Sequence, residues 1–179
     1  MKRILTLFLV LAIGTTLNAQ KETKKEQIAR LYTEVDIFLS EGDADNARLP
    51  LEKLVKLDKP NRSNLYLALG SIAEQKKETG RAINFYKKSI SADKKSHKAS
   101  YSMGALYYNK AIDMFNYLSN NLLTEQTQQQ KAIAEQVLAD FKKALPFLEK
   151  GFQLSGDKDI YKEPLNTVYL YLKLDKVID

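Results

Sequence analysis

The sequence has no cysteine and no tryptophan among its 179 residues. The absence of cysteine excludes disulfides, zinc–thiolate sites, thiol catalysis and lipid attachment through an N-terminal cysteine. Glycine and proline are also scarce, with 7 and 4 residues, which leaves little material for the many tight turns of a β-sandwich or barrel. Good helix formers such as lysine, glutamate, leucine, alanine and glutamine abound. The composition therefore predicts an all-α protein.

Residue types that carry catalysis or bind ligands are equally sparse. His97 is the only histidine; it lies among lysines and a serine, and no nucleophile motif accompanies it. Asp43, Asp45 and Asn46 resemble the start of a calcium loop, but the residues after them lack the next oxygen ligand and the glycine that such a loop needs. The glycines are isolated and form no phosphate-binding loop. We therefore predict no catalytic residues, no metal site and no cofactor.

The first twenty residues have the pattern of a secretory signal peptide. Two basic residues precede an apolar run over residues 4–13, and the small residue Ala19 lies where a signal peptidase would cut. We predict that residues 1–19 are the signal peptide and that the mature chain, residues 20–179, is periplasmic. An uncleaved membrane anchor is the alternative, although the apolar run is well short of the roughly 20 residues that span a bilayer.

Small and aromatic residues recur along the mature chain with a period of about 34. Gly104 follows Gly70 by 34 positions, and Ala47 precedes Ala82 by 35. The second unit also has aromatic residues before its Leu-Gly pair and after Ala82. This pattern resembles the tetratricopeptide repeat. The resemblance implies a right-handed helical-repeat solenoid of about three hairpins, in which the small residues let paired helices approach closely.

The third unit is longer than the others. Its second small residue, Ala144, comes 40 positions after Gly104, whereas Ala82 comes 12 after Gly70. The extra 28 residues are four heptads, so we expect about fourteen in each arm of the hairpin and a tip within residues 124–130. Pro146, in the returning arm, predicts a bend or the start of a regular helix.

These observations divide the mature chain into repeats at about residues 28–61, 63–96 and 97–156, with a final helix within 159–179 that caps the stack. The pattern with its long-armed third hairpin resembles exported tetratricopeptide proteins of Bacteroidota-type bacteria. That resemblance implies a periplasmic protein.

In this family the first helix of each repeat lines a concave groove. Carrying the groove positions over to this chain selects tyrosine rings and polar groups, which suit an extended peptide. The candidate groove residues are Tyr32, Asp36, Asn64, Ser71, Gln75, Tyr101, Tyr108 and Asn109. The alternative for Tyr101 and Tyr108 is packing against the neighbouring hairpin. Some relatives grip a terminal carboxylate with Lys, Asn and Arg at two of these positions in each repeat. Those two positions hold other residues here: Tyr32, Asp36, Leu67, Ser71, Tyr101 and Ala105.

The formal net charge is +6, and exposed helix faces explain the lysine clusters without a nucleic-acid partner. A weak contact with an anionic envelope surface is compatible with this charge.

We predict a non-enzymatic scaffold or adaptor that binds a protein or peptide in the bacterial cell envelope. Two alternatives stay open: a permanent structural subunit of an envelope complex, and an accessory subunit of an enzyme whose active site lies in the partner.

Overall fold

The computed structural model describes residues 22–121 and 127–178, and seven α-helices make up most of them. The helices are α1 (Lys24–Ser40), α2 (Ala44–Leu57), α3 (Arg62–Gln75), α4 (Thr79–Ala92), α5 (His97–Asn120), α6 (Gln128–Leu154) and α7 (Asp159–Tyr171). No strand occurs in this part of the chain, so the all-α prediction is confirmed. The expected signal peptide, residues 1–19, lies outside the described residues.

Side-chain caps determine where four of the helices begin. Thr23 accepts a hydrogen bond from the backbone N–H of Glu26, whose carboxylate accepts from the N–H of Thr23 in return. Thr127 and Gln130 form the same reciprocal pair at the start of α6. Single caps at α2 and α5 come from Asp43 and Ser96. Each cap satisfies an N–H that has no partner within its helix.

The helices pack in consecutive pairs, and the pairs stack on one another. α1 pairs with α2, α3 with α4 and α5 with α6; in addition, α3 contacts α5, and α5 contacts α7. Each pair buries large side chains completely or nearly so, for example Leu31 and Leu54 in the first, Tyr86 in the second and Phe141 in the third. The fold is therefore a helical-repeat solenoid of three hairpins with α7 packed on its last one.

Two glycines at equivalent positions set the distance between paired helices. A Cβ atom on Gly70 would lie 2.4 Å from Cε1 of Tyr86, and one on Gly104 would lie 2.7 Å from Cγ of Leu148. Both distances are far below the 3.5–4.0 Å of a normal carbon–carbon contact. The prediction that these glycines occupy close-contact positions is confirmed.

The third hairpin is long, as the sequence predicts, but its arms differ from the expected lengths. α5 has 24 residues and α6 has 27, against 14 each in α3 and α4. The arms as described therefore gain 10 and 13 helical residues, fewer than fourteen each. Of the expected tip, residues 124–126 lie outside the described residues, and α6 already begins at Gln128. Pro146 lies inside α6 and starts no new helix.

The long hairpin buries a carboxylate where its extension begins. The side chain of Asp140 on α6 is completely buried, with Lys110 Nζ of α5 at 2.8 Å and Lys143 Nζ at 3.1 Å. Burial opposes ionisation of this carboxyl group, but the adjacent ammonium groups of Lys110 and Lys143 outweigh it and hold the pKa of Asp140 below its usual value. The ion pair between Lys110 and Asp140 joins the two arms at one register, whereas Lys143 lies on the same helix as Asp140.

The last helix, α7, covers the inner half of the long hairpin. Tyr161, Leu165 and Val168 are fully buried against α5 and α6. After Tyr171 the chain reverses at Lys173, which has a φ of 55°, and it returns along α7 until the backbone N–H of Ile178 donates to Asn166. Among the helices described above, none is long and apolar enough to cross a membrane.

Candidate functional site

A cleft of about 350 Å³ opens on the face formed by the first helices of the repeats. Leu67 and Ser71 of α3 form one wall, and α5 contributes Lys98 and Tyr101 to the other. The start of α7 closes the end of the cleft, where Ile160 is 44% exposed. The cleft thus draws on three successive first helices, which is the arrangement that a solenoid uses to present an extended surface.

Two tyrosines in edge-to-face contact form the apolar floor of this cleft. The rings of Tyr101 and Tyr161 meet edge to face, with their centroids 5.1 Å apart. The hydroxyl of Tyr161 donates to the backbone oxygen of His97 at 3.3 Å, and burial raises the pKa of this tyrosine. Because Tyr161 is fully buried, it fixes the ring of Tyr101, which remains partly exposed at the cleft.

The polar groups of the cleft are hydroxyls together with one charge of each sign. Ser71 and Ser102 bring hydroxyls that can donate to or accept from a peptide backbone. Lys98 brings a positive charge and Asp157 a negative one. His97 lines the same cleft and is partly buried at the start of α5, so it is less solvated than the sequence suggests. The lining offers apolar area, hydrogen-bonding groups and a balanced charge.

The structure brings together two of the eight predicted groove residues, Ser71 and Tyr101. Four others are exposed on the same set of helices but lie outside the lining of this cleft: Asp36, Asn64, Gln75 and Asn109. The remaining two are the tyrosines Tyr32 and Tyr108.

Tyr108 belongs to the core of the long hairpin. The prediction that it lines an open groove is therefore wrong. It is only 8% exposed, its ring packs near Phe141, and its hydroxyl donates to the carboxylate of Glu163 on α7 at 2.5 Å. Burial and this hydrogen bond raise its pKa to about 12. Tyr108 therefore follows the alternative of packing against the neighbouring helix, because α7 covers it.

Tyr32 is half-buried in the first hairpin. Its hydroxyl donates to the carboxylate of Asp58 at 2.7 Å, which ties α1 to the end of α2. Burial and this bond raise the pKa of Tyr32 to about 12. Part of its ring packs against the core of the first two hairpins, so its main contacts lie within the protein.

The residues missed by sequence reasoning come from the segment that leads into the last helix. Ser155, Asp157, Ile160 and Tyr161 all line the cleft, whereas the sequence predicts only a cap for this region. A helix that ends a solenoid also continues the row of first helices. The aromatic residue at Tyr161, near the start of a helix as Tyr66 is in the second repeat, is the signal that could have identified this role.

The geometry agrees with what comparison with known families finds. Residues 63–96 match the family model of the tetratricopeptide repeat. The matched segment comprises α3 and α4, the hairpin with the regular helix lengths and the contact between Gly70 and Tyr86. This match and the stacked hairpins support a tetratricopeptide-repeat protein, a class that serves as scaffolds for protein–protein interaction. No curated protein matches the chain.

The described part of the chain contains no group of three or more His, Asp or Glu side chains placed to hold a metal ion. The acidic pair Asp43 and Asp45 lies at the start of α2, where Asp43 accepts hydrogen bonds from the backbone and side chain of Asn46. These bonds hold the pKa of Asp43 below its usual value. The side chain works as a helix cap.

Proposed function

We propose that this protein is a non-enzymatic scaffold that binds a segment of another protein in the bacterial cell envelope. The observation that carries the proposal is the cleft between α3, α5 and α7, which combines the partly exposed ring of Tyr101 with the Ser71 and Ser102 hydroxyls. An extended peptide needs both features, since its side chains require apolar area and its backbone requires hydrogen-bonding partners. The repeat match at residues 63–96 supports a protein partner.

The envelope location rests on the sequence of residues 1–19. Export is tested by fractionating cells that express the full reading frame and measuring the intact mass of the product. We expect a periplasmic species that begins at Gln20. A species that retains Met1–Ala19 in the membrane fraction would instead support the anchored alternative.

Peptide binding at the cleft is tested with two matched variants. Leu67→Glu places a charge on the cleft wall, whereas Leu49→Glu places one on α2, where Leu49 is 59% exposed and away from the cleft. We expect a partner purified from envelope extracts to bind the parent and Leu49→Glu equally and to bind Leu67→Glu at least about tenfold more weakly. Equal binding by all three would remove the cleft as the binding site.

The same purification distinguishes the alternatives that the sequence leaves open. A partner recovered in fixed stoichiometry, and lost only on denaturation, favours a permanent subunit of an envelope complex. A set of weakly bound peptides favours a groove binder. If the partner is an enzyme whose turnover changes on binding, the accessory-subunit function is favoured. For a scaffold we expect the intact masses of both proteins to be unchanged after incubation.

A further inference from the structure

The outer half of the long hairpin carries a second cleft, on the face that α7 covers further in. It encloses about 420 Å³ and is lined by apolar side chains of α5 and α6, including Phe115, Leu118, Val137 and Leu138. Tyr171, the last residue of α7, forms its inner end. We call this surface the hairpin cleft.

The hairpin cleft continues the surface on which a helix of this chain already lies. α7 has 13 residues and therefore spans about 20 Å, whereas the arms of the hairpin span about 36 and 40 Å. The ring of Tyr171 marks the junction, with its centroid 5.0 Å from that of Phe115 and 5.1 Å from that of Phe141. Beyond this junction α5 and α6 present the same apolar face without α7.

The chain after α7 turns away from the hairpin cleft. Leu174 donates its backbone N–H to the oxygen of Tyr169, which closes a reverse turn around Lys173. Ile178 then exchanges two hydrogen bonds with the side chain of Asn166, one helical turn or more before the end of α7. The described tail therefore runs back along α7, and its end lies away from Tyr171.

The polar groups of the hairpin cleft determine what kind of segment it can accept. Gln130 is already engaged, because its side chain donates to the oxygen of Asn121 at 2.7 Å and accepts from the N–H of Thr127 at 2.9 Å. The hydroxyls of Ser119 and Tyr171 are the other polar side-chain groups of the lining. An extended peptide would bring one N–H and one C=O per residue into this apolar surface. A helix satisfies those groups internally.

We propose that the hairpin cleft binds an amphipathic helix of a partner protein, which lies end to end with α7. The lining extends over Gln130–Leu138 of α6, about 13 Å along the helix axis. The occupant is therefore a helix of two to three turns with apolar side chains spaced three and four residues apart. The contacts of α7 with the inner half of the hairpin show how such a helix packs.

A second copy of this chain is a poorer occupant than a partner helix. Each described helix has at most two large apolar side chains that are exposed. Where a helix has two, they lie two residues apart (Ile37 and Leu39), ten apart (Ile160 and Leu170) or sixteen apart (Leu138 and Leu154). None of these spacings forms an apolar stripe on one helix face, which needs steps of three and four. The helices described here thus offer no obvious ligand for the cleft of another copy.

The test uses the full chain and a labelled probe peptide of about 14 residues, built from alanine, lysine and glutamate with leucines at i, i+3, i+4 and i+7. Its control has the same composition except for one central proline, which prevents the helix. We expect fluorescence anisotropy to show binding of the helical probe only. Ala134→Glu in the cleft should weaken binding at least about tenfold, whereas Leu49→Glu on α2 should leave it unchanged.

Three results would overturn the proposal: equal binding of the proline control, equal binding by Ala134→Glu, or no binding of the helical probe up to about 1 mM. Sedimentation of the parent is measured in parallel, and a dimer that Ala134→Glu abolishes would assign the cleft to a second copy. Ser119→Glu, at an exposed position of the same cleft, repeats the test if Ala134→Glu lowers the melting temperature. Leu67→Glu should not affect this probe, which separates the hairpin cleft from the cleft of the proposed function.

Discussion

The second hairpin (α3 and α4) and the long hairpin (α5 and α6) share a glycine contact at their bases and differ beyond it. Gly70 faces Tyr86 in the former, and Gly104 faces Leu148 in the latter. The regular hairpin ends soon after this contact. The long one continues past the buried carboxylate of Asp140, which pairs with Lys110, and past the buried amide of Gln130.

The difference shows that two kinds of contact make different contributions: apolar contacts set the distance between paired helices, and buried polar groups set their lengthwise register. Close apolar contact fixes the distance between helices, but it leaves their lengthwise register weakly defined when the same apolar surface continues for several turns. A buried polar group can be satisfied at one register only. The regular hairpin has little length over which to slip, whereas the long hairpin places Asp140 and Gln130 where slippage would otherwise be tolerated.

The largest effects are expected at the shared glycine contact. Gly104→Leu and Gly70→Leu should each lower the free energy of unfolding by about 1–3 kcal/mol, because the added side chain overlaps a buried neighbour. Gly104→Leu should be the more severe of the two, since its Cβ would also lie 3.1 Å from the backbone nitrogen of Leu148. Thermal and urea melts measure the effect. Gly80→Ala is the control, because a Cβ on Gly80 has no neighbour within 4 Å. Melts that overlay the parent would contradict the shared contact.

The buried carboxylate of Asp140 in the long hairpin gives the next largest effect. Asp140→Ala should cost about 2 kcal/mol, since it leaves a gap and removes the partner of Lys110 and Lys143. Both lysines are about half exposed and can return to water, which limits the loss. Asp113→Ala, at an exposed position of the facing helix α5, should change stability by less than about 0.5 kcal/mol.

A third variant separates the register role of Asp140 from its contribution to stability. Asp140→Leu should recover much of the stability lost in Asp140→Ala, because a well-packed apolar side chain replaces the buried charge. Hydrogen exchange of the outer arms should nevertheless be faster than in the parent, since nothing polar then fixes the register. Parent-like exchange in Asp140→Leu would show that the ion pair has no register role.

The sequence predicts the repeat core well because that core depends on residue size at fixed spacing. Gly70 and Gly104 lie in helix contacts too close for a larger side chain, so the period that they define also defines the hairpins. The additional 28 residues likewise predict a long third hairpin, although the division into two equal arms of fourteen is wrong. The capping pair Thr127–Gln130 starts α6 within the expected tip, and a count of heptads does not contain that information.

The candidate cleft is predicted less well, because it depends on how helices cover one another. Tyr101 and Tyr108 lie seven residues, or about two turns, apart on α5 and so share one face of the helix. Tyr101 nevertheless borders the cleft, whereas Tyr108 is buried beneath Glu163 and its neighbours on α7. The position of α7 decides between them. Asp140 also escapes sequence reasoning, since a single acid among lysines is usually solvated.

The stability of the protein at alkaline pH tests the tyrosine hydroxyl contacts of the long hairpin and of the first hairpin. The folded-state pKa of Tyr108 and of Tyr32 is raised to about 12 from the ordinary value of 10. A raised tyrosine pKa favours the neutral form in the folded state, so its stabilising contribution is complete below pH 10 and is lost as the pH rises to 12. The parent should therefore become less stable over this window.

Two variants isolate these tyrosines from the lysines that titrate in the same window. The stability difference between the parent and Tyr108→Phe should shrink as the pH rises from 10 to 12, and the same holds for Tyr32→Phe. We expect the larger change for Tyr108, which is the more deeply buried. Urea melts at each pH measure the difference. A difference that is constant with pH would show that neither hydroxyl has a raised pKa.

The smallest expected effect concerns the turns that join the two helices of each hairpin. The first hairpin turns at Gly42 with a φ of 74°, and the second turns at Lys77 with a φ of 59°. Side chains other than glycine are strained in this left-handed region. Lys77→Gly should therefore raise the free energy of unfolding by about 0.5–1 kcal/mol. In the long hairpin α5 ends at Asn120, and the capping residue Asn121 has a φ of −121°, so Asn121→Gly relieves no strain and should be neutral or slightly destabilising. A stabilising Asn121→Gly, or a destabilising Lys77→Gly, would contradict the conclusion that the backbone is strained at Lys77 and unstrained at Asn121.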